Sequence, residues 1–244
     1  MNGSTPHFLV GTLADDCTGK PLAYAQRIGQ ALNSQVDCWQ ANAQDEKVDD
    51  LLLKAQTDCD LLLLSEPVQQ NFLSRLLNRS VYRKILNTMP ASLWLIRQPR
   101  WPINSILLII RAQEGEEAAE EWALRLALAC GAAVTILVIS PADPIMYREG
   151  GPVQTPLEIL LTADSPVGVQ IRRVLRRLCA ASIECNLQQR TGTPDEQIER
   201  ELAAGDHDLV IIAAEKRSKL WRWWLGELVE PLLRWLDRPI LIVR

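Results

Sequence analysis

Apolar runs of strand length alternate with segments of helical periodicity along the whole chain. Residues 8–13 and 106–110 are such runs, and apolar residues recur at helical spacing in the segments that follow them, 20–32 and 116–130. Further strands are predicted at Cys38, 60–64, 93–96, 135–139, 208–212 and 240–243. Further helices are predicted at 48–57, 73–85, 169–182, 195–204 and 225–236. Uninterrupted apolar strands that alternate with helices predict an α/β protein with a parallel sheet covered by helices.

The same succession of elements occurs twice. An offset of 98 residues carries the run at 8–12 onto 106–110, and an offset of 148 carries 60–64 onto 208–212. The last predicted strand repeats at an offset of 147. Three matching blocks in one order indicate an internal duplication. The rise from 98 to 148 places 50 additional residues in the middle of the second copy.

Residues 98–102, Gln-Pro-Arg-Trp-Pro, separate the two copies. Two prolines within five residues end a strand and form a short, stiff linker. We therefore expect two α/β domains, at residues 1–98 and 103–244, whose sheets pack side by side. The Pro- and Gly-containing stretch 141–156 predicts a long loop in the second domain.

The composition places the chain among ordinary globular proteins, with 48% apolar and 23% charged residues. The net charge is −4, from 26 basic and 30 acidic residues, which argues against nucleic-acid binding because such proteins usually carry a basic excess. The six cysteines have irregular spacing and no CxxC pair. They predict neither a zinc site nor a disulfide framework, but small apolar side chains in a reducing compartment.

The sequence predicts a cytosolic protein. The N-terminus lacks the basic and apolar regions of a signal peptide. The longest apolar run, 126–139, has 14 residues, whereas a membrane-spanning helix needs about 20.

The most specific sequence pattern lies at the end of each copy. The strand at 208–212 is followed by a polar loop, by Trp224-Leu-Gly-Glu-Leu-Val and by the terminal strand after Arg238-Pro. Gly192-Thr-Pro opens the preceding helix. With these motifs the chain resembles the universal stress protein family in its tandem, two-domain form. It departs from the family at 41–59, where the first copy is too short for the usual middle strand and helix.

The resemblance implies two Rossmann-like domains and a role in stress response or regulation. Members of the family commonly dimerise, partly through their last strand. The strands at 93–96 and 240–243 could therefore pair with each other within this chain and produce a pseudo-dimer.

Many members of the family bind ATP, and the resemblance carries their motif onto positions of the second copy. The motif is a glycine, two residues, a second glycine, nine residues, and a glycine before Ser or Thr. Its glycines let backbone amides approach the phosphates. The glycine positions fall on Ala213, Lys216 and Gly226, and the hydroxyl position falls on Glu227, whose carboxylate would repel a triphosphate. In the first copy the motif retains no glycine.

Nearby charges leave an alternative open. The family's acidic residue at the end of the first strand falls on Leu13 and Arg111 in the two copies. Arg111, Lys216, Arg217 and Lys219 could offset the acidic residue of the motif and form a charge-adapted ATP or AMP site. A solvated basic loop is the other interpretation.

The segment 219–225 holds Trp221, Trp223 and Trp224. Three tryptophans within four positions of a helix cannot all face one core, and Trp together with Arg is enriched at binding hot spots. This pattern predicts an interface with another protein or domain. The alternative is that the rings fill the space left by an absent nucleotide.

Other motifs predict no catalysis and no metal site. Residues 13–20 (LADDCTGK) resemble the opening of a sugar-acid kinase family, but a P-loop requires GxxxxGK[ST], and no glycine stands at that spacing. Metal-assisted phosphate chemistry at Asp15 and Asp16, after the first strand, is the remaining enzymatic alternative. The two histidines, His7 and His207, form no recognisable Ser/His/acid, Cys/His or metal-ligand pattern.

One predicted helix carries a basic stripe at Arg172, Arg173, Arg176 and Arg177. Such a stripe suits an acidic partner, a nucleic acid or a membrane surface, or it bridges to acidic residues of the chain itself.

These observations predict a non-catalytic stress-response or regulatory protein that acts through protein contacts or self-association and needs no cofactor. The alternative is a sensor that binds ATP or AMP in the second copy. An enzyme that acts on phosphate groups is the third interpretation.

Overall fold

The structure, a computed structural model, describes most of the predicted strands and four of the seven predicted helices in full. The described residues are 7–12, 19–39, 51, 53, 55, 59–65, 85, 88, 91–111, 116–140, 157–162, 164–214, 232 and 235–244. Their strands are β1 His7–Thr12, β2 Gln35–Trp39, β3 Leu61–Ser65, β4 Ser92–Ile96, β5 Ser105–Ile110, β6 Ala133–Ser140, β7 Cys185–Thr191, β8 Leu209–Ala213 and β9 Ile240–Val243. Their helices are α1 Lys20–Ala31, α2 Glu117–Cys130, α3 Leu157–Thr162, α4 Pro166–Ala180 and α5 Pro194–Ala204.

These strands form one continuous sheet in the order β2-β1-β3-β4-β9-β8-β5-β6-β7. Neighbouring strands run parallel except at the pair β4 and β9, which is antiparallel. The predicted α/β class with a mainly parallel sheet is confirmed. The predicted pairing of the last strand of each copy is also confirmed, and it joins the two halves edge to edge.

The junction between β4 and β9 has the geometry of a two-fold axis. Trp94 lies opposite Leu241, its equivalent at the repeat offset of 147 residues. Leu93 lies opposite Ile242, and the converse pair lies on the other side of the axis. An isologous dimer interface has this symmetry, and here it is closed within one chain.

Equivalent polar contacts begin the first strand of each copy. Oδ2 of Asp60 accepts a hydrogen bond from the N–H of His7 (2.9 Å), and the Asp60 N–H donates to the His7 carbonyl (3.0 Å). Asp208 makes the same two contacts with Ser105, at 3.1 and 2.8 Å. Because the repeat offsets relate His7 to Ser105 and Asp60 to Asp208, these contacts support the duplication inferred from the sequence. The division into domains at 1–98 and 103–244 stays a prediction.

The core lies on both faces of the sheet, because alternate residues of the central strands point to opposite sides. One cluster includes Trp94 and Leu108 and is covered by α1, α2 and α4. The other includes Leu95 and Ile109 and is covered by α5 together with helical residues outside the five helices named above, Leu51, Ile85 and Leu232.

The sequence pattern does not predict β7 or α3. β7 reads Cys-Asn-Leu-Gln-Gln-Arg-Thr, without an apolar run, and lies at the edge of the sheet with six of its seven residues half-buried. An edge strand faces solvent on one side and tolerates polar residues there. In the described part of the first half, β2 is outermost and no strand corresponds to β7. The predicted shortening at 41–59 falls mostly outside the described residues and stays a prediction. The predicted loop at 141–156 and most of the helices at 48–57, 73–85 and 225–236 lie outside the described residues.

The cysteines differ from the prediction at one position. Cys38 takes part in a disulfide bond, so the expectation that no cysteine is disulfide-bonded is wrong there. Spacing along the chain does not exclude such a bond, because strand pairing brings distant residues together. Cys59, Cys130, Cys179 and Cys185 are free.

Of the helices that the structure describes, none combines the length and the apolar character that crossing a membrane requires.

Candidate functional site

The strand order changes direction at β5. The chain leaves β5 for β6 on one side and later returns to β8 on the other, so the carboxyl ends of β5 and β8 flank a topological switch point. Open α/β sheets bind ligands in the crevice at such a point. Arg111 follows β5 directly, and Ala213 is the last residue of β8. Two of the residues predicted for a nucleotide site therefore lie together.

Arg111 spans this crevice. Its Nη2 donates a hydrogen bond of 2.6 Å to the carbonyl oxygen of Ala213. Its N–H donates to Oε1 of Glu116 at 2.9 Å, and its Nε lies 3.6 Å from the same oxygen. The Arg111 side chain is only 4% exposed and the Glu116 side chain 2%. The chain's own cation thus ties β5 to β8 at the position where a ligand would enter.

Glu116 also connects the crevice to α4. It directly precedes α2, and its Oε2 accepts a hydrogen bond of 3.0 Å from Nε2 of Gln170 on α4. The same amide nitrogen donates to Oε1 of Glu120, also at 3.0 Å. Acidic groups are favourable in the first turn of a helix, where the backbone amides carry partial positive charge. One glutamine therefore satisfies two buried carboxylates at the start of α2.

Arg173 supplies the charge that Glu120 requires. Its Nη2 and Nε donate to the Glu120 carboxylate at 2.7 and 3.1 Å, and this contact is the main reason why the pKa of Arg173 is raised. Arg177 pairs with Glu121, and Arg172 donates to a backbone carbonyl of α3 at 2.6 Å. For these three arginines, the interpretation that the predicted basic stripe bridges to groups of the chain itself is confirmed.

The other predicted site residues lie outside the described residues, and their roles stay predictions. They are Lys216, Arg217, Gly226 and Glu227 of the nucleotide motif, and Trp221, Trp223 and Trp224 of the proposed interface. Sequence reasoning misses Glu116 as the partner of Arg111, and Gln170 as the partner of Glu116. The acidic run that starts at Glu116 is a signal for the first, whereas nothing in the sequence marks Gln170.

A second polar cluster lies at the opposite, amino-terminal edge of the sheet. Nδ1 of His207 lies 2.9 Å from the hydroxyl of Ser105, and its Nε2 lies 3.4 Å from Oε1 of Glu201. The imidazole packs against Gly205, where a Cβ atom would lie 2.4 Å from Nε2. Burial lowers the pKa of His207, although the hydrogen bond to Glu201 opposes this effect. Three separate elements thus bring a serine and a carboxylate beside His207, an arrangement that no pattern in the sequence reveals.

The backbone N–H groups next to the Ser105 hydroxyl are already engaged. Backbone N–H groups beside a nucleophile are one common means of stabilising an oxyanion in acyl transfer. The N–H groups of Asn104 and Ser105 both donate to Oδ2 of Asp208, at 2.8 and 3.1 Å. The His207 cluster therefore connects β5, α5 and β8 structurally.

The described part of the crevice offers binding groups rather than reactive ones. It contains a guanidinium, a carboxylate and a carbonyl that are engaged with one another. An anion that bound Arg111 would compete with Glu116 and with the Ala213 carbonyl for its guanidinium. Within the parts of the chain that the structure describes, no three His, Cys, Asp or Glu side chains are grouped so as to hold a metal ion.

Solved structures resemble this chain along almost its whole length. A universal stress protein from Archaeoglobus fulgidus DSM 4304 is 11% identical and has a TM-score of 0.62, with 97% of this chain and 85% of that chain covered. A functionally unknown protein from Pseudomonas aeruginosa PAO1 is 16% identical and has a TM-score of 0.61, with 98% and 92% covered. A universal stress protein from Archaeoglobus fulgidus in complex with dAMP is 13% identical and has a TM-score of 0.41, with 58% and 98% covered. At these identities the first two likenesses show the fold alone.

A search of curated proteins finds no match to this chain. Residues 102–244, more than half of the chain, match the sequence profile of the universal stress protein family. The profile covers the half of the sheet that contains the switch point, β5, β8 and the terminal strand β9. This chain therefore belongs to the universal stress protein family.

Proposed function

We propose that this protein is a non-catalytic regulator that acts through protein contacts and does not hold a nucleotide in its second copy. The observation that carries the proposal is the Arg111 side chain, which crosses the switch-point crevice to the carbonyl of Ala213 and pairs with Glu116. The crevice that would admit a ligand is occupied by the chain itself.

Opening this crevice has an energetic cost. A nucleotide would have to displace the Arg111 guanidinium, and separating a buried ion pair costs about 3–5 kcal/mol. The residue at the first glycine position of the motif, Ala213, is buried and carries a side chain. In the sequence, Glu227 stands where a hydroxyl would contact a phosphate. Three separate features thus oppose a polyanion.

One observation favours the alternative function, an ATP or AMP sensor. Arg111 places a guanidinium at the carboxyl end of β5, and a guanidinium pairs with phosphate as well as with carboxylate. A phosphate that replaced Glu116 would convert the internal ion pair into a binding contact.

Calorimetric titration of the full chain with ATP and with AMP, with and without magnesium, separates the two functions. We expect no binding at ligand concentrations up to about 1 mM. A dissociation constant above about 1 mM corresponds to a binding free energy weaker than about 4 kcal/mol. Micromolar binding would overturn the proposal. In that event Arg111→Leu is the diagnostic variant, because a sensor that uses this guanidinium would lose affinity.

The protein-contact part of the proposal has its own test. Trp223→Ala and Trp224→Ala should alter self-association, measured by light scattering, or the recovery of a bound protein. Trp101→Ala is the matched control, because Trp101 is exposed but lies in the linker between the halves. If both variants behave like the control in both assays, these tryptophans do not form an interface.

A further inference from the structure

The carboxylate of Glu120 lies beneath the surface that α2 and α4 share. Its side chain is 1% exposed, whereas the side chain of Arg173, which covers it from α4, is 41% exposed. Arg173 holds both oxygens, with Nη2 at 2.7 Å from Oε1 and Nε at 3.1 Å from Oε2. Glu117 contacts the same guanidinium from the solvent side, at 3.5 Å. A buried acidic group is thus neutralised by a side chain that other molecules can reach.

A second buried carboxylate lies close to Glu120. Nε2 of Gln170 donates to Oε1 of Glu120 and to Oε2 of Glu116 at 3.0 Å each, so the two oxygens are separated by at most twice that distance. Arg111 pairs with Glu116. The strands packed against α2, which are β5, β6, β8 and β9, carry no ionisable side chain. Among the described residues, Arg173 is therefore the cation in contact with Glu120.

We propose that the Arg173–Glu120 pair is a proton-linked switch, in which release of Arg173 is accompanied by the uptake of one proton by Glu120. Once the guanidinium leaves, the carboxylate keeps the Gln170 N–H in a place that is almost inaccessible to water. Burial without a cation favours the neutral carboxyl, and the nearby Glu116 carboxylate favours it further because like charges repel. The start of α2 opposes this effect with a partial charge of only about half a unit.

This switch makes the surface of α4 sensitive to pH. An acidic group of another molecule that captures the Arg173 guanidinium must separate it from Glu120, and a proton on Glu120 lowers the cost of that separation. Capture is therefore favoured as the pH falls. The inference goes beyond the proposed function, because it concerns the outer surface of α4 and holds whether or not the crevice admits a nucleotide.

Arg173→Met reproduces the released state, and its unfolding by urea is compared with that of the wild type at several pH values. In the folded variant Glu120 should hold a proton that an ordinary glutamate of the unfolded chain does not hold above about pH 5.5. One additional proton in the folded state lowers the unfolding constant by up to about tenfold per pH unit as the pH falls. We expect the ratio of the variant's unfolding constant to that of the wild type to fall at least about tenfold between about pH 8 and about pH 5.5.

Two further variants identify the group that binds the proton. Arg177→Met is the matched control, because Arg177 is also on α4 and is 37% exposed but pairs with Glu121, whose side chain is 35% exposed. Its ratio should stay constant within about twofold, as is usual for an exposed pair. Arg173→Met combined with Glu120→Gln leaves no carboxylate to protonate, so its ratio should not depend on pH. His207 titrates in every one of these chains and cancels in each ratio.

Three results would each overturn the switch. The first is an Arg173→Met ratio that does not change with pH. The second is an equal change in Arg177→Met, which would show that any arginine of α4 has this effect. The third is a pH dependence that remains in the double variant, which would place the proton on a group other than Glu120.

Discussion

Replacing Glu116 by alanine should destabilise the protein by about 3 kcal/mol, at the lower end of the range for breaking a buried ion pair. The carboxylate accepts the Arg111 N–H, pairs with its guanidinium and accepts the Gln170 amide. Its removal leaves all three groups without this partner in a region that is almost inaccessible to water. The lower end applies because Arg111 keeps its hydrogen bond to the Ala213 carbonyl.

The free energy of unfolding is measured by urea titration, followed by the emission of the eight tryptophans. Glu117→Ala is the matched control: Glu117 neighbours Glu116, its side chain is 60% exposed, and it contacts Arg173 at 3.5 Å. We expect this control to change stability by less than about 0.5 kcal/mol, as is usual for exposed residues. Glu116→Gln should fall between the two, because it removes the charge but keeps an acceptor for the Arg111 N–H.

A double replacement tests whether the cost arises from an unpaired charge. Arg111→Met combined with Glu116→Leu removes both charges and fills the space, so it should recover most of the stability lost in Glu116→Ala. If Glu116→Ala costs no more than Glu117→Ala, the buried pair does not exist in solution, and Arg111 does not close the crevice.

Three further outcomes are expected. Because burial holds the pKa of His207 below that of an unfolded histidine, the unfolded chain binds more protons there, and stability should fall as the pH drops below about 6.5. The loss measured by urea titration between about pH 7.5 and about pH 5.5 should be smaller in His207→Asn, and an equal loss would contradict this role. Tyr24→Phe removes a buried hydroxyl with no hydrogen-bond partner among the described residues and should raise the unfolding free energy by about 1 kcal/mol. An unfolding free energy below that of the wild type would show that the hydroxyl has a hydrogen-bond partner. Trp94→Ala should cost about 3–5 kcal/mol by the same measurement, because this side chain is fully buried at the β4–β9 junction, and a loss below about 1 kcal/mol would place the junction outside the core.

Most of the strands that the sequence predicts share one property: they are apolar runs that are buried on both faces, as in 61–65 and 209–213. β2, predicted at Cys38, is an exception, because it lies at an edge and none of its residues is fully buried. Burial on both faces removes the need for polar residues, so the signal is local and strong. β7 escapes prediction because an edge strand needs no such run. The same reasoning explains why the duplicated core strands are recognisable, whereas the additional strand of the second copy is not.

The candidate site divides in a similar way. Arg111 and Ala213 are identifiable because the resemblance to the universal stress protein family carries its nucleotide-site positions onto them. The hydrogen bond between them joins residues 102 positions apart, and the bond from Gln170 to Glu116 joins residues 54 positions apart. No local pattern encodes such partners, since they depend on how α4 packs beside α2.

By itself, then, the sequence determined the repeated order of strands and helices, because that order follows from local runs of apolar residues. The tertiary structure decided that both halves share one sheet, through the antiparallel pairing of Trp94 with Leu241. It also decided that Arg111 turns inward to Glu116 and Ala213. A buried guanidinium takes whichever acceptors the surrounding elements bring within hydrogen-bond distance, and those acceptors exist only once the chain has folded.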